Sequence, residues 1–346
     1  MAAQNSLIIA SVEFSIALMA LVVVAQVPEN LLLEEERPDR ALQHRIKSTF
    51  YRESIDVWNT CCSKTNSGDI IPNMISKEAC RSMGMAAESI RSDAIVVEFG
   101  TWIGKSSRCI ATGLANLAMK KGSGTFKNNF FAFDAFKAVE RFKLKGTKWE
   151  GRYRTDSESI LPAWREIVLE KYPTAIAVPG YIAPTDNPEW GTQFVDLFVM
   201  DAAKDYNNFL IQMKRVVPFL RSGSLIIFGD FSYPPGSYDQ IALVYSKFVP
   251  RGSLKLVDIS VTSSHFTFAV GAPGLSPNDF DEPVYPKNGD FSFEDWKRFQ
   301  SVAMNDTNQV LQMKKEHLSK AGLRLKTRIH EQFSTARRKL SERYGR

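Results

Sequence analysis

The sequence predicts an α/β fold: a Rossmann-like, doubly wound, mostly parallel sheet of seven strands with an antiparallel last strand, plus helical N- and C-terminal flanks. Three observations predict it. Short apolar runs alternate with longer helical stretches between residues 76 and 272, the pattern of repeated βαβ units. The runs carry little polar alternation, as expected when helices cover both faces of a sheet. The last two runs are joined by only a few residues, which permits an antiparallel pair and no parallel crossover.

The elements follow in order. SKEACRSMGMAAESI reads as a helix with Ser76 as its candidate cap. AIVVEFG (94–100) reads as a buried strand and SSRCIATGLANLAMKK (106–121) as the helix after it. NFFAFDAF (129–136) is the second strand and AWREIVLEKY (163–172) the next helix. TAIAVPG, FVDLFVM and SLIIFGD supply three more strands, with NFLIQMKRVVPFL (208–220) as the helix before the last of them. LKLVDISV and HFTFAVGA form the closing pair, His265 reading as a packing or loop histidine.

Flanks surround this domain (76–272). Residues 7–27 form an apolar segment of membrane-crossing length, interrupted by Glu13. Three readings stand for it: a signal anchor, a cleaved signal peptide ending near Ala25, or a helix docked on the domain. Arg37, Arg40, Arg45 and Lys47 follow it and, for an anchor, would keep the rest on the cytoplasmic face. Residues 28–75 read as a polar, partly helical lead-in, and 273–346 as a linker followed by a basic helical tail.

Bulk composition agrees with a globular enzyme-sized chain: 346 residues, 44% hydrophobic and 24% charged. A net charge of +6 is too mild to identify a nucleic-acid binder. The cysteines are Cys61, Cys62, Cys80 and Cys109, without a C-x-x-C spacing. Reduced thiols are therefore expected, with Cys109 as a buried, inert one.

The most informative stretch is Glu98-Phe-Gly-Thr-Trp-Ile-Gly-Lys-Ser106, where the first strand turns into a helix. Gly100 and Gly104 let the backbone turn and let a ligand approach. A dinucleotide fold prefers G-x-G-x-x-G here, to cradle a pyrophosphate. Trp102 stands at the place of its middle glycine. S-adenosylmethionine has no phosphate and needs no such cradle. One βα unit later, Phe133-Asp134-Ala-Phe136 ends the second strand. Asp134 is placed to accept from two ribose hydroxyls, and Phe133 or Phe136 to pack on an adenine.

Together these parts resemble the class I S-adenosylmethionine-dependent methyltransferases. E-F-G-T-W-I-G-K-S looks like the E-x-G-x-x-x-G-x-S version found in catechol O-methyltransferase and its bacterial relatives. FAFDAF is similar to the F-D-S-F segment of macrocin-type sugar O-methyltransferases. The resemblance covers roughly residues 75–272. It implies a cofactor site of Glu98, Gly100, Thr101, Trp102, Gly104, Ser106, Phe133, Asp134 and Asp201.

The fourth and fifth predicted strands end in Asp201-Ala-Ala-Lys204-Asp205 and Gly229-Asp230. Parallel strands present their C-terminal ends on one rim, so Asp201 and Asp230 are expected as neighbours beside the cofactor. Two adjacent carboxylates favour a hard cation such as Mg²⁺, which would lower the pKa of a bound hydroxyl. The D-x-x-K-D spacing resembles catechol O-methyltransferase, which implies Asp201 as metal ligand and Lys204 as base. That family's next two ligands are an Asp-Asn pair, and Gly229 and Asp230 stand at those places. Macrocin-type enzymes carry D-G-D and D-D, against Asp201-Ala-Ala203 and Gly229-Asp230 here.

Between the second and third strands lies a long basic segment with Lys137, Arg141, Lys143, Lys145, Lys148, Arg152 and Arg154. It reads as a solvated loop or as a substrate lid suited to an acidic acceptor. The leading expectation is O-methylation of a small-molecule hydroxyl. A catalytically inactive scaffold of the same fold at a membrane is the alternative. A nucleotide-dependent oxidoreductase is disfavoured by Trp102 and the antiparallel closing pair.

Overall fold

The computed structural model describes residues 63–72, 75–91, 94–122, 129–180, 188–202, 206–229, 231, 240, 243–260, 265–281 and 310. All belong to one compact unit, residues 46–346. The predicted anchor at 7–27, Lys204, Asp230, Cys61, Cys62 and most of the basic tail lie outside the described residues. Among the described residues no helix is long and apolar enough to cross a membrane.

Seven strands form one sheet: β1 (Ile95–Phe99), β2 (Phe130–Asp134), β3 (Ile176–Pro179), β4 (Val195–Met200), β5 (Leu220–Phe228), β6 (Leu254–Ser260) and β7 (His265–Val270). Their order is β3-β2-β1-β4-β5-β7-β6. Pairs from β3 to β5 are parallel, and β7 runs antiparallel to both β5 and β6. The predicted fold class is observed. The order reverses direction between β1 and β4, and ligands of open α/β sheets bind at the carboxyl ends of the strands at such a point.

β1 and β4 are buried along their whole length, which explains their unbroken apolar runs. On one face Phe99 meets Phe133 and Phe198 edge-on, each with ring centroids 5.1 Å apart. Trp190, Phe209, Phe228 and Phe268 extend the same core. Packing continues past the predicted domain end. Phe280 is fully buried, and Asp279 receives both guanidinium nitrogens of Arg251, at 2.8 and 2.7 Å.

The other face is covered by α1 (Lys77–Glu88) and α2 (Lys105–Lys120). Ser76 caps α1 as predicted, accepting from the Ala79 N–H at 3.1 Å. The two helices run side by side in the same direction, matched every four residues. Cys80 is disulfide-bonded to Cys109. Gly113 lies against the Gly84 carbonyl, where a Cβ would come within 2.0 Å. Glu88 then pairs with Lys120 and accepts from Asn116 at 3.4 Å. Residues four apart share one helix face, so the ladder is continuous.

The disulfide corrects the expectation of reduced thiols. Counting spacings missed it because the pair is formed by two separate helices. Cys109 is buried as expected, but bonded rather than free. Downstream, α3 (Leu161–Val168) is tied to α2 by the fully buried Arg108, which donates to the Ile167 carbonyl at 2.6 Å and pairs with Glu170 at 3.1 Å. A further helix, α4 (Tyr206–Val216), leads into β5.

The disulfide closes a loop with a sequence separation of 29, for which chain entropy gives about 3–4 kcal/mol of stabilisation. Urea unfolding with and without a dithiol reductant should show a loss of that size. A Cys80→Ser/Cys109→Ser double variant should be insensitive to the reductant.

Candidate functional site

β1 ends at Phe99 and the chain turns at once. Gly100 and Gly104 both have left-handed backbones, φ 86° and 101°. A side chain at 104 would run into Trp164, 2.8 Å from its Cδ1. The turn closes through the Gly104 N–H, which donates to the Thr101 carbonyl at 2.9 Å. Trp102, at its outer corner, is also left-handed, φ 43°. For a side-chain-bearing residue that conformation costs about 1–2 kcal/mol.

Asp134 offsets this cost. Its Oδ2 accepts from the Trp102 N–H at 2.8 Å. Its Oδ1 accepts from the N–H of Phe136 at 2.7 Å, and Phe136 is left-handed too, φ 48°. One carboxylate thus holds two strained turns, one after β1 and one after β2. Charge-assisted bonds of this kind are roughly twice as strong as neutral ones. The Trp102 indole N–H donates to the Val139 carbonyl at 3.0 Å, a second link between the two loops.

Beneath the turn lies Glu98, with none of its surface exposed. Ser107 donates to its Oε2, and Oε1 is buried without a hydrogen-bond partner. The Trp164 indole N–H donates to Thr101 Oγ1 at 2.8 Å and to Ser107 Oγ at 2.9 Å. Burial pushes the Glu98 carboxyl up to about 8. The Ser106 and Ser107 hydroxyls oppose the shift, while Asp201 and Asp134 add to it.

At the end of β4 the Asp201 N–H donates to the Phe99 carbonyl at 2.8 Å. Glu98, Asp134 and Asp201 thus sit at the carboxyl ends of three adjacent strands. Among the predicted site residues, the structure brings together Glu98, Gly100, Thr101, Trp102, Gly104, Ser106, Asp134 and Asp201. Phe133 is not among them. It is packed in the core against Phe99 and Trp190, under the Arg215 guanidinium. Strand alternation turns 131 and 133 to the core face with 97 and 99. Phe136 is fully buried against Trp164, ring centroids 5.9 Å apart, so neither phenylalanine presents an open face. Ser107 and Trp164 were missed. Their signal was only that a buried carboxylate needs donors.

No group of three or more potential ligands suited to a metal occurs among the described residues. The segment between β2 and β3 is anchored at its base by a Lys137–Ser159 bridge. Much of its charge is neutralised locally. Arg141 pairs with Asp156, Lys143 with Glu140, Lys148 with Asp69 and Glu166, and Arg152 with Glu166.

The raised Glu98 carboxyl has a sign. In the folded chain it keeps its proton above its ordinary 4.5, so the folded state binds more protons than the unfolded one. Its contribution is fully present below about 4.5 and is lost as pH rises through about 8. Urea midpoints taken across that window should therefore fall with pH, and Glu98→Gln should flatten the slope.

Residues 97–231 match the family described as "Methyltransferase domain". No curated protein matches the chain. Among solved structures it is similar to the O-methyltransferase NovP, at 15% identity over 68% of this chain and 99% of that one, TM-score 0.41. It is also similar to CalS11, a TDP-rhamnose 3′-O-methyltransferase of calicheamicin biosynthesis, at 16% identity over 55% and 77%, TM-score 0.37. The matched segment runs from β1 to just past β5 and holds Glu98, Asp134 and Asp201. The match to a methyltransferase domain thus falls on the part of the chain that carries the candidate site.

Proposed function

We propose that this domain methylates a hydroxyl oxygen of a small molecule, with S-adenosylmethionine as donor. The observation that carries the reading is the bond from the Trp102 N–H to Asp134, 2.8 Å, which joins the glycine turn to the end of β2. The donor set fits the cofactor. Beside the protonated Glu98, Asp134 and Asp201 bring two carboxylates to this rim, and S-adenosylmethionine carries a sulfonium and an ammonium. A pyrophosphate would be repelled by the same charges.

The cofactor, when bound, supplies an electrophilic methyl group. Asp134 would hold the ribose hydroxyls through the lone pairs its backbone bonds leave free. Trp102 would border the bound nucleoside. Glu98 stiffens the turn from below through Ser107. The acceptor hydroxyl would receive that methyl group and give up its proton to a base. Asp201 and, three residues on in sequence, Lys204 are the candidates for that role. The hydroxyl preference follows the likeness of the Glu98 turn and the Asp201-Ala-Ala-Lys204 spacing to O-directed enzymes.

Calorimetry with S-adenosylmethionine and with NAD tests the cofactor. Micromolar binding of the first and none of the second is expected. Asp134→Ala should weaken binding by roughly 10–100-fold, the worth of a charged hydrogen bond. No binding, or preference for NAD, would overturn the assignment. Transfer of a labelled methyl group to a panel of phenols and sugars tests the chemistry, and unchanged turnover in Asp201→Ala would remove Asp201 from it.

A further inference from the structure

At the rim, the backbone that carries Asp201 is hemmed in on both sides. Toward β1, a Cβ at Gly100 would lie 2.6 Å from Ala202 N and 2.7 Å from the Asp201 carbonyl carbon. Toward β5, a Cβ at Gly229 would lie 2.5 Å from Asp201 Oδ1, 2.7 Å from Cγ and 2.9 Å from Cβ. Ordinary carbon contacts are about 3.5–4.0 Å. Both strand ends are fixed, since the Asp201 N–H bonds the Phe99 carbonyl and the Gly229 N–H bonds the Met200 carbonyl, each at 2.8 Å.

The Asp201 carboxylate therefore lies over the end of β5, in the space that any side chain at 229 would need. A second carboxylate there is absent from the sequence and is also excluded by where the first one sits. A hard divalent cation takes six or more oxygens, and Mg²⁺ demands near-octahedral placement. Position 229 offers no side-chain oxygen. Glu98 does not replace it, being wholly buried under the turn. Among the described residues, positions 201 and 229 together supply a single carboxylate, too few for a cation; Asp230 lies outside them.

We propose that this site works without a divalent cation, and that Gly229 is the positioning residue: it seats the Asp201 carboxylate so that the acceptor hydroxyl bonds to it directly. This rests on the O-methylation proposed above. The bonds made and broken are the same, and only the hydroxyl's partner changes, from a metal to a carboxylate.

The first test needs no acceptor. The full chain is titrated with Mn²⁺ in the presence of S-adenosylhomocysteine and followed by electron paramagnetic resonance. No ion held more tightly than about a millimolar, the weak end of carboxylate sites, is expected. A tightly held ion that Asp201→Asn releases overturns the inference. The second test is turnover. Equal rates in chelator and in Mg²⁺ support it, and abolition by chelator with rescue by Mg²⁺ overturns it. Gly229→Ala should lower kcat by about 10²-fold, the effect of roughly an ångström of misplacement, with calorimetric cofactor affinity unchanged. Full activity in that variant also overturns the proposal. Failure to bind the cofactor would sink the proposed function instead, and the Mn²⁺ titration would still decide the cation question.

Discussion

The rim of this sheet depends on one carboxylate accepting from two backbone N–H groups. Asp134 bonds Trp102 and Phe136, and both residues sit in a left-handed conformation that their side chains disfavour. Without an anion between them, each turn would relax toward ordinary backbone geometry, and the two loops would separate. Strained residues persist where their surroundings over-determine them. Here the surroundings are a short acidic side chain fixed at a strand end by parallel pairing with Pro179. The strain is local, and β1, which leads into the first turn, is buried along its whole length.

The electrostatics of the rim complement that geometry. Glu98 is kept protonated by burial and by the charges of Asp134 and Asp201. A neutral Glu98 lets three acidic residues share one rim without mutual repulsion pulling the turn apart. The same arrangement discriminates between ligands, because a cationic nucleoside relieves the remaining negative charge and a pyrophosphate adds to it. The disulfide-linked helix pair supplies the rigid backing. Cys109 lies one turn into α2, the helix that the glycine turn leads into.

Much of this was legible in the sequence, and the legible parts share a cause. Apolar runs, a cap at Ser76 and the glycine turn are local signals, and each marked an element within a few residues. Asp134 was legible because its distance from Glu98 along the chain is set by one βα unit. What failed was whatever required a rotation about an element's axis. Ser107, one residue past the predicted Ser106, also reaches Glu98, and only helix phase decides that. Phe133 and Asp134 are adjacent too, yet strand alternation sends the ring into the core. The Cys80–Cys109 bond depends on how two helices cross, which no spacing along one chain records.

Gly229 shows why a missing ligand is a structural statement. Set beside enzymes with a carboxylate at this place, the glycine reads as a loss. In the structure it is a consequence of where Asp201 points. Two carboxylates on neighbouring strand ends can coexist only if a cation lies between them or one stays protonated. Here neither arrangement is built at 201 and 229. The Asp201 carboxylate occupies the space a side chain at 229 would need, and its backbone lies close against Gly100 on the other flank. The glycine at 229 and the placement of Asp201 are therefore coupled. Restoring a side chain at 229 alone would displace Asp201 without recreating a metal site.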